Sequence, residues 1–348
     1  MRRALTLARR GWGQTAPNPM VGAVVVRGGR VVGEGWHARF GSAHAEVVAL
    51  AAAGRRARGA TVFVTLEPCN HWGKTPPCVD ALIAAGVRRV VCATRDPNPK
   101  ARGGAARLRR AGISVEFGLE AEAARELNAP FFHAAADASR PWVVLKLALS
   151  ADGAVGRRRG RRVKITGPAA DREVHRIRAG VDAIAVGANT ARRDDPELTV
   201  RHGRKPRIPP VRVVFDRAAA LPTVLRLVQT AGLTPTAVVA AKPLAAHEVR
   251  LFRRGVEVLR ARSVKSALQR LAAQDVRALL VEGGPTLAKA FLAARAVDRI
   301  VIFQSPRRLG AGAIAAFDDA SLLETYRVVA RRRFGPDVMT IYDPHAPR

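Results

Sequence analysis

Four side chains near the start of the chain have the types and spacing of a metal centre: His44, Glu46, Cys69 and Cys78. One imidazole and two thiolates are donors of the softness Zn2+ accepts, and a catalytic zinc keeps three protein ligands with a fourth position open for water. His44 and Glu46 lie in "HAEVVALAAA", which reads as the start of a helix. An offset of two residues turns helical side chains well apart, so the carboxylate is not expected to join the imidazole as a ligand. A carboxylate beside the ion suits proton transfer between a water and a leaving group. Cys69 stands where the strand "ATVFVTLEP" gives way to a loop, and Cys78 follows Pro76-Pro77 and opens the helix "CVDALIAAG". The amides at a helix N-terminus favour the thiolate that metals bind. Singly, each residue has a plain reading: a cap or surface position for the histidine, core packing for the cysteines. Their joint order points to a metal.

His-x-Glu followed by Pro-Cys-x-x-Cys is the signature of the zinc nucleobase deaminases, with the second half stretched here to Pro-Cys-x8-Cys. Cys92, in "RRVVCAT", falls in an apolar strand pattern and reads as a buried structural thiol. Three cysteines do not make a disulfide framework.

The elements that must position these residues alternate. "VGAVVV" and "RVVGEGW" flank Gly28-Gly29 as a hairpin. Helix, strand, helix ("CVDALIAAG", stopped by Gly86) and strand ("VRRVVCAT") follow, then the loop "DPNPKARGG", a short helix "AARLRRAG" and a strand "ISVEFG". A boundary is expected near residues 133–141, giving domains 1–140 and 141–348. The second half restarts with the strand "WVVLKLALS" and a helix over "PAADREVHRIRAG" capped by Thr166. The strands "VDAIAVG" and "RVVFD", the helix "ARSVKSALQRLAAQ" and the strand "RALLVEGG" come next. The helix "PTLAKAFLAAR" opens with Pro285, and the strand "DRIVIFQSP" closes the series. Alternation of this kind predicts α/β layers in both halves, with helices on both faces of a sheet. The Arg-rich stretch 156–164 reads as an exposed loop.

A chain of 348 residues with 48% hydrophobic content is long enough for two domains, each with its own core. It lacks an apolar run near the roughly 20 residues that span a bilayer. "MRRALTLARRGWG" lacks the continuous apolar segment and cleavage site of a signal peptide, so it reads as a first helix and the protein as cytoplasmic, with no membrane partner. The net charge of +31 is spread over both halves. It attracts polyanions and speeds capture of phosphorylated substrates, but does not identify a function. A nucleic-acid deaminase is therefore carried as a rival, as is a deaminase whose second half is degenerate or repurposed.

"TLEPCNHWGKTPPC", with "APNPMVGAVVV" upstream and "DPNP" downstream, closely resembles the bifunctional riboflavin-biosynthesis family, a deaminase fused to a reductase. "LKLALSADG", "RRDDPELTVR" and "VEGGPTLAKAFL" resemble its reductase segments in the right order. The resemblance implies a cytidine-deaminase-like α/β/α domain followed by a dihydrofolate-reductase-like α/β domain. It implies deamination of a diaminopyrimidinone carrying a phosphoribosylamino arm, then reduction of the ribose by NADPH, by a homo-oligomer with no specific nucleic-acid partner. His44, Cys69 and Cys78 would bind Zn2+, with Glu46 as proton shuttle. Asn18, His71 and Lys74 would meet the substrate. In the second half Asp194 would lie beside the reacting ribose and the nicotinamide. Arg178 and Arg201 would sit near the substrate phosphate, with Leu198 close by, and Glu282 on a substrate hydroxyl. Ala148, Thr190 and the run Gly284, Pro285, Thr286, Leu287, Ala288, Lys289 and Ala290 match NADPH contacts. In "RRVKIT", Lys164 fits the family's cofactor position, whereas Arg162 replaces a serine at a substrate position. Arg217 also stands where a small polar residue is commoner. Read without the resemblance, Lys74 alone is a solvated surface lysine, while Asp194 is equally a turn residue and Gly283-Gly284 equally a helix cap.

Overall fold

Gly28 and Gly29 both adopt positive φ and reverse the chain between β1 (Gly22–Arg27) and β2 (Arg30–Trp36), the hairpin the dipeptide predicts. The computed structural model describes residues 1–158, 163–317 and 323–345. It divides the chain between Asp137 and Ala138 into two compact units.

In the first unit, helix α1 (Arg2–Ala8) precedes the hairpin. Helix α2 (Ala45–Ala53), β3 (Thr61–Val64), α3 (Cys78–Ala84), β4 (Arg89–Cys92), α4 (Gly104–Arg110) and β5 (Ser114–Phe117) follow. Helices α5 (Ala121–Leu127) and α6 (Ala129–Ala136) end the unit. The sheet order is β2-β1-β3-β4-β5, with β3, β4 and β5 parallel. The C-terminal ends of these strands therefore lead into the loops before α3 and α4.

Helix α2 lies directly on β2. A Cβ added at Gly33 would come within 2.3 Å of the Ala49 carbonyl oxygen, and one at Gly35 within 2.4 Å of that of Ala45. The facing helix residues are Ala45, Ala49 and Ala53, all buried. With no side chain on the strand and only methyls on the helix, the two backbones touch, and this contact fixes where the first turn of α2 begins.

The second unit contains β6 (Trp142–Leu149), β7 (Ala154–Arg157), α7 (Pro168–Arg178), β8 (Ala183–Gly187), α8 (Ala188–Asp194) and β9 (Val211–Phe215). Next come α9 (Arg226–Gln229), β10 (Thr236–Ala240), α10 (Ala245–Phe252), β11 (Val256–Arg260), α11 (Val264–Ala272) and β12 (Ala278–Val281). The last elements are α12 (Pro285–Ala293), β13 (Arg299–Gln304), β14 (Ala313–Ala315), β15 (Tyr326–Phe334) and β16 (Asp337–Pro344). One large sheet has the order β11-β10-β9-β8-β12-β6-β13-β16-β15, and β14 pairs with β7 in a separate two-stranded sheet.

The core follows the two-residue period of the strands. Val143, Leu145 and Leu147 of β6, Leu279 and Val281 of β12, and Ile300 and Ile302 of β13 pack on one face with α11 and α12. Val144, Leu280, Val301 and Phe303 pack on the other with α7 to α10. Both faces are covered, which is why these strands read as continuous apolar runs.

Three expectations need correction. Strand β13 does not close the series: the hairpin β15–β16 adds two antiparallel strands beyond it. Thr166 does not cap α7. The cap position is Gly167, whose N–H donates to Asp337 Oδ2 at 2.7 Å, so a carboxylate from the C-terminal hairpin does the work. Within 156–164, Gly156 and Arg157 belong to β7 rather than to a loop. Residues 159–162, and with them Arg162, lie outside the described residues.

Substitution Gly35→Ala should destabilise the first unit by about 1–3 kcal/mol, the usual cost of overpacking a close contact. Thermal and urea denaturation of the purified protein measure it; an unchanged midpoint would mean that α2 does not rest on β2 in this way.

Candidate active site

Helices α2 and α3 start at the same place. His44 is the cap residue of α2, in extended conformation, and Cys78 is the first residue of α3. Cys69 follows the end of β3 after Glu67 and Pro68, and its carbonyl accepts the Val79 amide. The donor atoms of His44, Cys69 and Cys78 all lie within 4.8 Å of one another. His44 Nδ1 is 3.1 Å from Cys78 Sγ and 3.5 Å from Cys69 Sγ. A tetrahedral zinc with ordinary bond lengths sets such edges at about 3.5–3.8 Å. Three ligands of the right chemistry, with Nδ1 of the imidazole facing both sulfurs, fit a zinc ion.

The thiols are already polarised. Cys69 is pulled well below the ordinary thiol range, chiefly because the Cys78 thiol hydrogen-bonds to it, with help from His44 and the Cys78 amide. Cys78 is pushed up by that same shared proton and by burial. His44 is raised by its hydrogen bond with Cys69. His44, Cys69 and Cys78 would hold a divalent cation in place of that proton, with both sulfurs as thiolates.

Glu46 is 3% exposed, on the first turn of α2. Burial, with the Cys69 charge adding to it, pushes its carboxyl up to about 7. It is thereby poised to exchange a proton near neutral pH.

A cavity of about 160 Å3 opens over this group, lined by Asn18, Gly41, Ser42, His44, His71, Gly73, Lys74 and Thr75. The structure thus brings Asn18, His71 and Lys74 together with the donor set. His71 Nδ1 is buried without a hydrogen-bond partner among the described residues. Lys74 Nζ lies 4.4 Å from the centre of the Phe40 ring, a cation–π contact that restrains the ammonium.

Sequence reasoning missed His37, which is buried between Asn18 and His44. Its Nδ1 meets the Ala43 carbonyl at 3.2 Å and its Nε2 the Asn18 amide nitrogen at 3.3 Å, and its ring stands edge-on to His44 at 5.2 Å. With Nδ1–H donating to Ala43, Nε2 accepts from Asn18 and turns the Asn18 carbonyl the other way. Glu67, by contrast, is structural: its carboxylate accepts the Ala105 and Asp96 amides. Cys92 is fully buried.

In the second unit, the C-terminal ends of the neighbouring strands β8 and β12 gather most of the expected residues. Glu282 follows β12, and its N–H donates to the Ala185 carbonyl of β8. Its carboxylate accepts two hydrogen bonds from Arg178 of α7, at 2.6 and 2.9 Å. Burial raises Glu282, but the charge and hydrogen bonds of Arg178 outweigh it and hold the carboxyl down to about 2. A Cβ on Gly284 would lie 3.4 Å from Thr190 Oγ1, so the first turns of α8 and α12 stand side by side. Asp194 is the last residue of α8. Leu198 is buried with φ of 51°, and Arg201 reaches Glu197 Oε2 at 2.9 Å.

Within 284–290, Leu287 and Ala288 turn into the core while Thr286, Lys289 and Ala290 are exposed. Leu287 and Ala288 can therefore meet a cofactor only through their backbone. Ala148 lies on β6, half-buried. Lys164 is exposed and pairs with Asp171 at 2.5 Å, and no contact places it with α8 or α12 among the described residues. Arg217 is exposed, and its carbonyl accepts the Ala241 and Lys242 amides.

Residues 1–94 match the cytidine and deoxycytidylate deaminase zinc-binding region, and residues 141–340 match the RibD C-terminal domain. The chain is thus a zinc-dependent deaminase joined to a reductase, with Zn2+ and NADPH as cofactors. It is 40% identical to the riboflavin biosynthesis protein RibD of Aquifex aeolicus, over 98% of this chain and 97% of that one. It is 39% identical to RibD of Escherichia coli strain K12, over 97% and 96%. The solved structure of Acinetobacter baumannii RibD (form 1) superposes with a TM-score of 0.85 at 36% identity, covering 99% and 98% of the two chains. A Thermotoga maritima structure described as a diaminohydroxyphosphoribosylaminopyrimidine deaminase/5-amino-6-(5-phosphoribosylamino)uracil reductase gives 0.85 at 35% identity, covering 99% and 97%. The chain belongs to the RibD family of bifunctional riboflavin-biosynthesis enzymes. No helix among the described residues is long and apolar enough to cross a membrane.

Substitution Glu282→Gln leaves the buried Arg178 without its counter-charge and should cost about 3–5 kcal/mol at neutral pH. The folded carboxyl sits near 2 against an ordinary 4.5, so its contribution is complete above 4.5 and is lost as pH falls toward 2. The difference in unfolding free energy between wild type and variant should therefore narrow across that window, as denaturant titrations at stepped pH would reveal.

Proposed function

We propose that the first unit removes the 2-amino group of a 2,5-diamino-6-(5-phosphoribosylamino)pyrimidin-4-one as ammonia, and that the second reduces the ribosyl arm of the product to a ribityl chain. The deaminase reading is carried by one observation: three soft donors surround one point beside a buried carboxyl, and one of them, His44, opens onto a cavity that Asn18, His71 and Lys74 also line. His44, Cys69 and Cys78 would hold zinc, which when bound lowers the pKa of water enough to supply a nucleophile at neutral pH. Asn18 and His71 would meet the ring, and Lys74 the phosphate. Glu46 takes the proton that the attacking water gives up and delivers one to the departing nitrogen. Water adds at the ring carbon, the carbon–nitrogen bond breaks, and the ring carbonyl and ammonia remain. Burial, which pushes the carboxyl up from its ordinary range, suits Glu46 to taking up that proton and giving it back.

In the second unit Asp194 would lie beside the ribose carbon and the nicotinamide, and Arg201 near the substrate phosphate. Glu282 and Arg178 enter as one buried ion pair, so the pair offers the substrate an anchored carboxylate edge, not two independent charges. Ala148, Thr190 and the 284–290 turn would take NADPH, whose hydride reduces the sugar. Family resemblance further suggests a cytoplasmic homo-oligomer, which sedimentation of the purified protein would test for assembly.

The test is an assay of purified protein with the diamino substrate, with and without NADPH. Glu46→Gln should lower ammonia release by about 10²–10⁴-fold while retaining zinc by elemental analysis and still oxidising NADPH when the deaminated product is supplied. Cys69→Ser should lose the metal as well. Loss of both activities in Glu46→Gln would contradict separate sites.

A further inference from the structure

Helix α7 grips the chain that follows α8 through two side chains one turn apart. Arg178 Nη1 donates to the Thr199 carbonyl at 3.0 Å, and His175 Nδ1 accepts the Arg201 N–H at 3.0 Å. These two bonds hold the peptide groups on either side of Val200. Leu198, with positive φ and its side chain buried in the core cluster that also holds Val174, marks the turn that the grip stabilises. From outside, Glu197 ties Arg201 to Arg226, and Asp195 accepts the Arg226 amide at 2.8 Å. His175 itself is 5% exposed, with its ring edge-on to His202 at 4.7 Å.

We infer that His175 is a positioning residue of the reductase unit: its unprotonated Nδ1 fixes the Arg201 main chain and so sets where the Arg201 guanidinium stands for the substrate phosphate. The inference rests on the reading of Arg201 as a phosphate contact. For Nδ1 to accept, the ring proton must sit on Nε2 and the ring must stay neutral. Its surroundings enforce this: burial first, then Arg178, Arg201 and His202, against Glu282 alone, bring His175 down to about 4. A histidine serving only as packing would not need an acceptor at the δ position. Asparagine carries an acceptor at the same distance from the backbone, whereas leucine carries none and glutamine holds its amide one bond further out.

The experiment compares His175→Asn, His175→Leu and His175→Gln in the full chain, with NADPH and the deaminated substrate. Losing one such bond should raise the KM for that substrate about five- to tenfold in the Leu and Gln variants. In those variants kcat should stay within about twofold and KM for NADPH should be unchanged. His175→Asn should stay near wild type. Because Gln keeps the position polar, the Asn–Gln comparison remains decisive if His175→Leu does not fold. Equal KM in Asn and Gln variants, whether both normal or both impaired, would overturn the inference. Arg201→Ala separates the two layers: it should shrink the preference for the phosphorylated substrate over its dephosphorylated form. No change there removes the reading of Arg201 and the inference with it; a change there with normal histidine variants removes the grip alone.

Discussion

The metal site depends on a backbone contact, not on the ligands themselves. Helix α2 can deliver His44 and Glu46 to one point because nothing but hydrogen occupies the β2 side of the contact at Gly33 and Gly35. The end of β3 delivers Cys69, and α3 begins where Cys78 is needed. Two helices therefore aim their N-terminal amides at the same spot. Partial positive charge at both ends favours anions there, which opposes a bare cation and favours thiolates. Two thiolates cancel the charge of a divalent ion, so the ligand set is matched to the field in which it sits. A second and third imidazole in their place would leave that field uncompensated.

The two buried carboxyls of the chain's sites meet opposite fates from the same starting cost. Desolvation raises both. Glu46 has the polarised thiols and His44 beside it but no guanidinium fork to hold it ionised, and burial pushes it up to about 7. Glu282 faces a fork of two Arg178 hydrogen bonds and settles near 2, where it is a fixed anion. One site needs a carrier and the other an anchor, and the neighbouring charge decides which is which.

What could be read in advance follows the range of the interaction. The hairpin at Gly28-Gly29, the helices opened by His44 and Cys78, and the ligand set itself are encoded within a few residues or at a family-specific spacing, so types and order revealed them. The apolar runs of β6, β8, β12 and β13 announced buried strands, but not that β6 lies between β12 and β13, since register and order are settled by packing. The hairpin β15–β16 escaped because β15 is an edge strand, and "YRVVARRRF" carries arginines along it in place of an apolar alternation. Such charge guards an edge from pairing with another chain. The cap of α7 escaped for a similar reason: Asp337 is 170 positions from the amide it holds. His37 and His175 were visible as letters, but a histidine's role lies in which nitrogen meets which partner, and those partners are folded into place.

With a net charge of +31, attraction of anions is available almost anywhere on this protein and so discriminates nothing by itself. Selectivity for one phosphorylated small molecule has to come from cations whose positions are fixed. The structure supplies two kinds of restraint at the proposed phosphate contacts. Lys74 is held over the Phe40 ring, and the Arg201 main chain is held by a neutral imidazole while its guanidinium is shared with Glu197. The aromatic face and the imidazole add no charge, and the one carboxylate involved, Glu197, meets the Arg201 guanidinium in an exposed pair that water screens. A carboxylate placed fully against either one would have fixed it equally well, yet at the expense of the attraction that makes it useful. An aromatic ring in one unit and a neutral histidine in the other thus stand behind the proposed phosphate contacts, while the Arg178–Glu282 pair presents a fixed carboxylate edge and not a free cation.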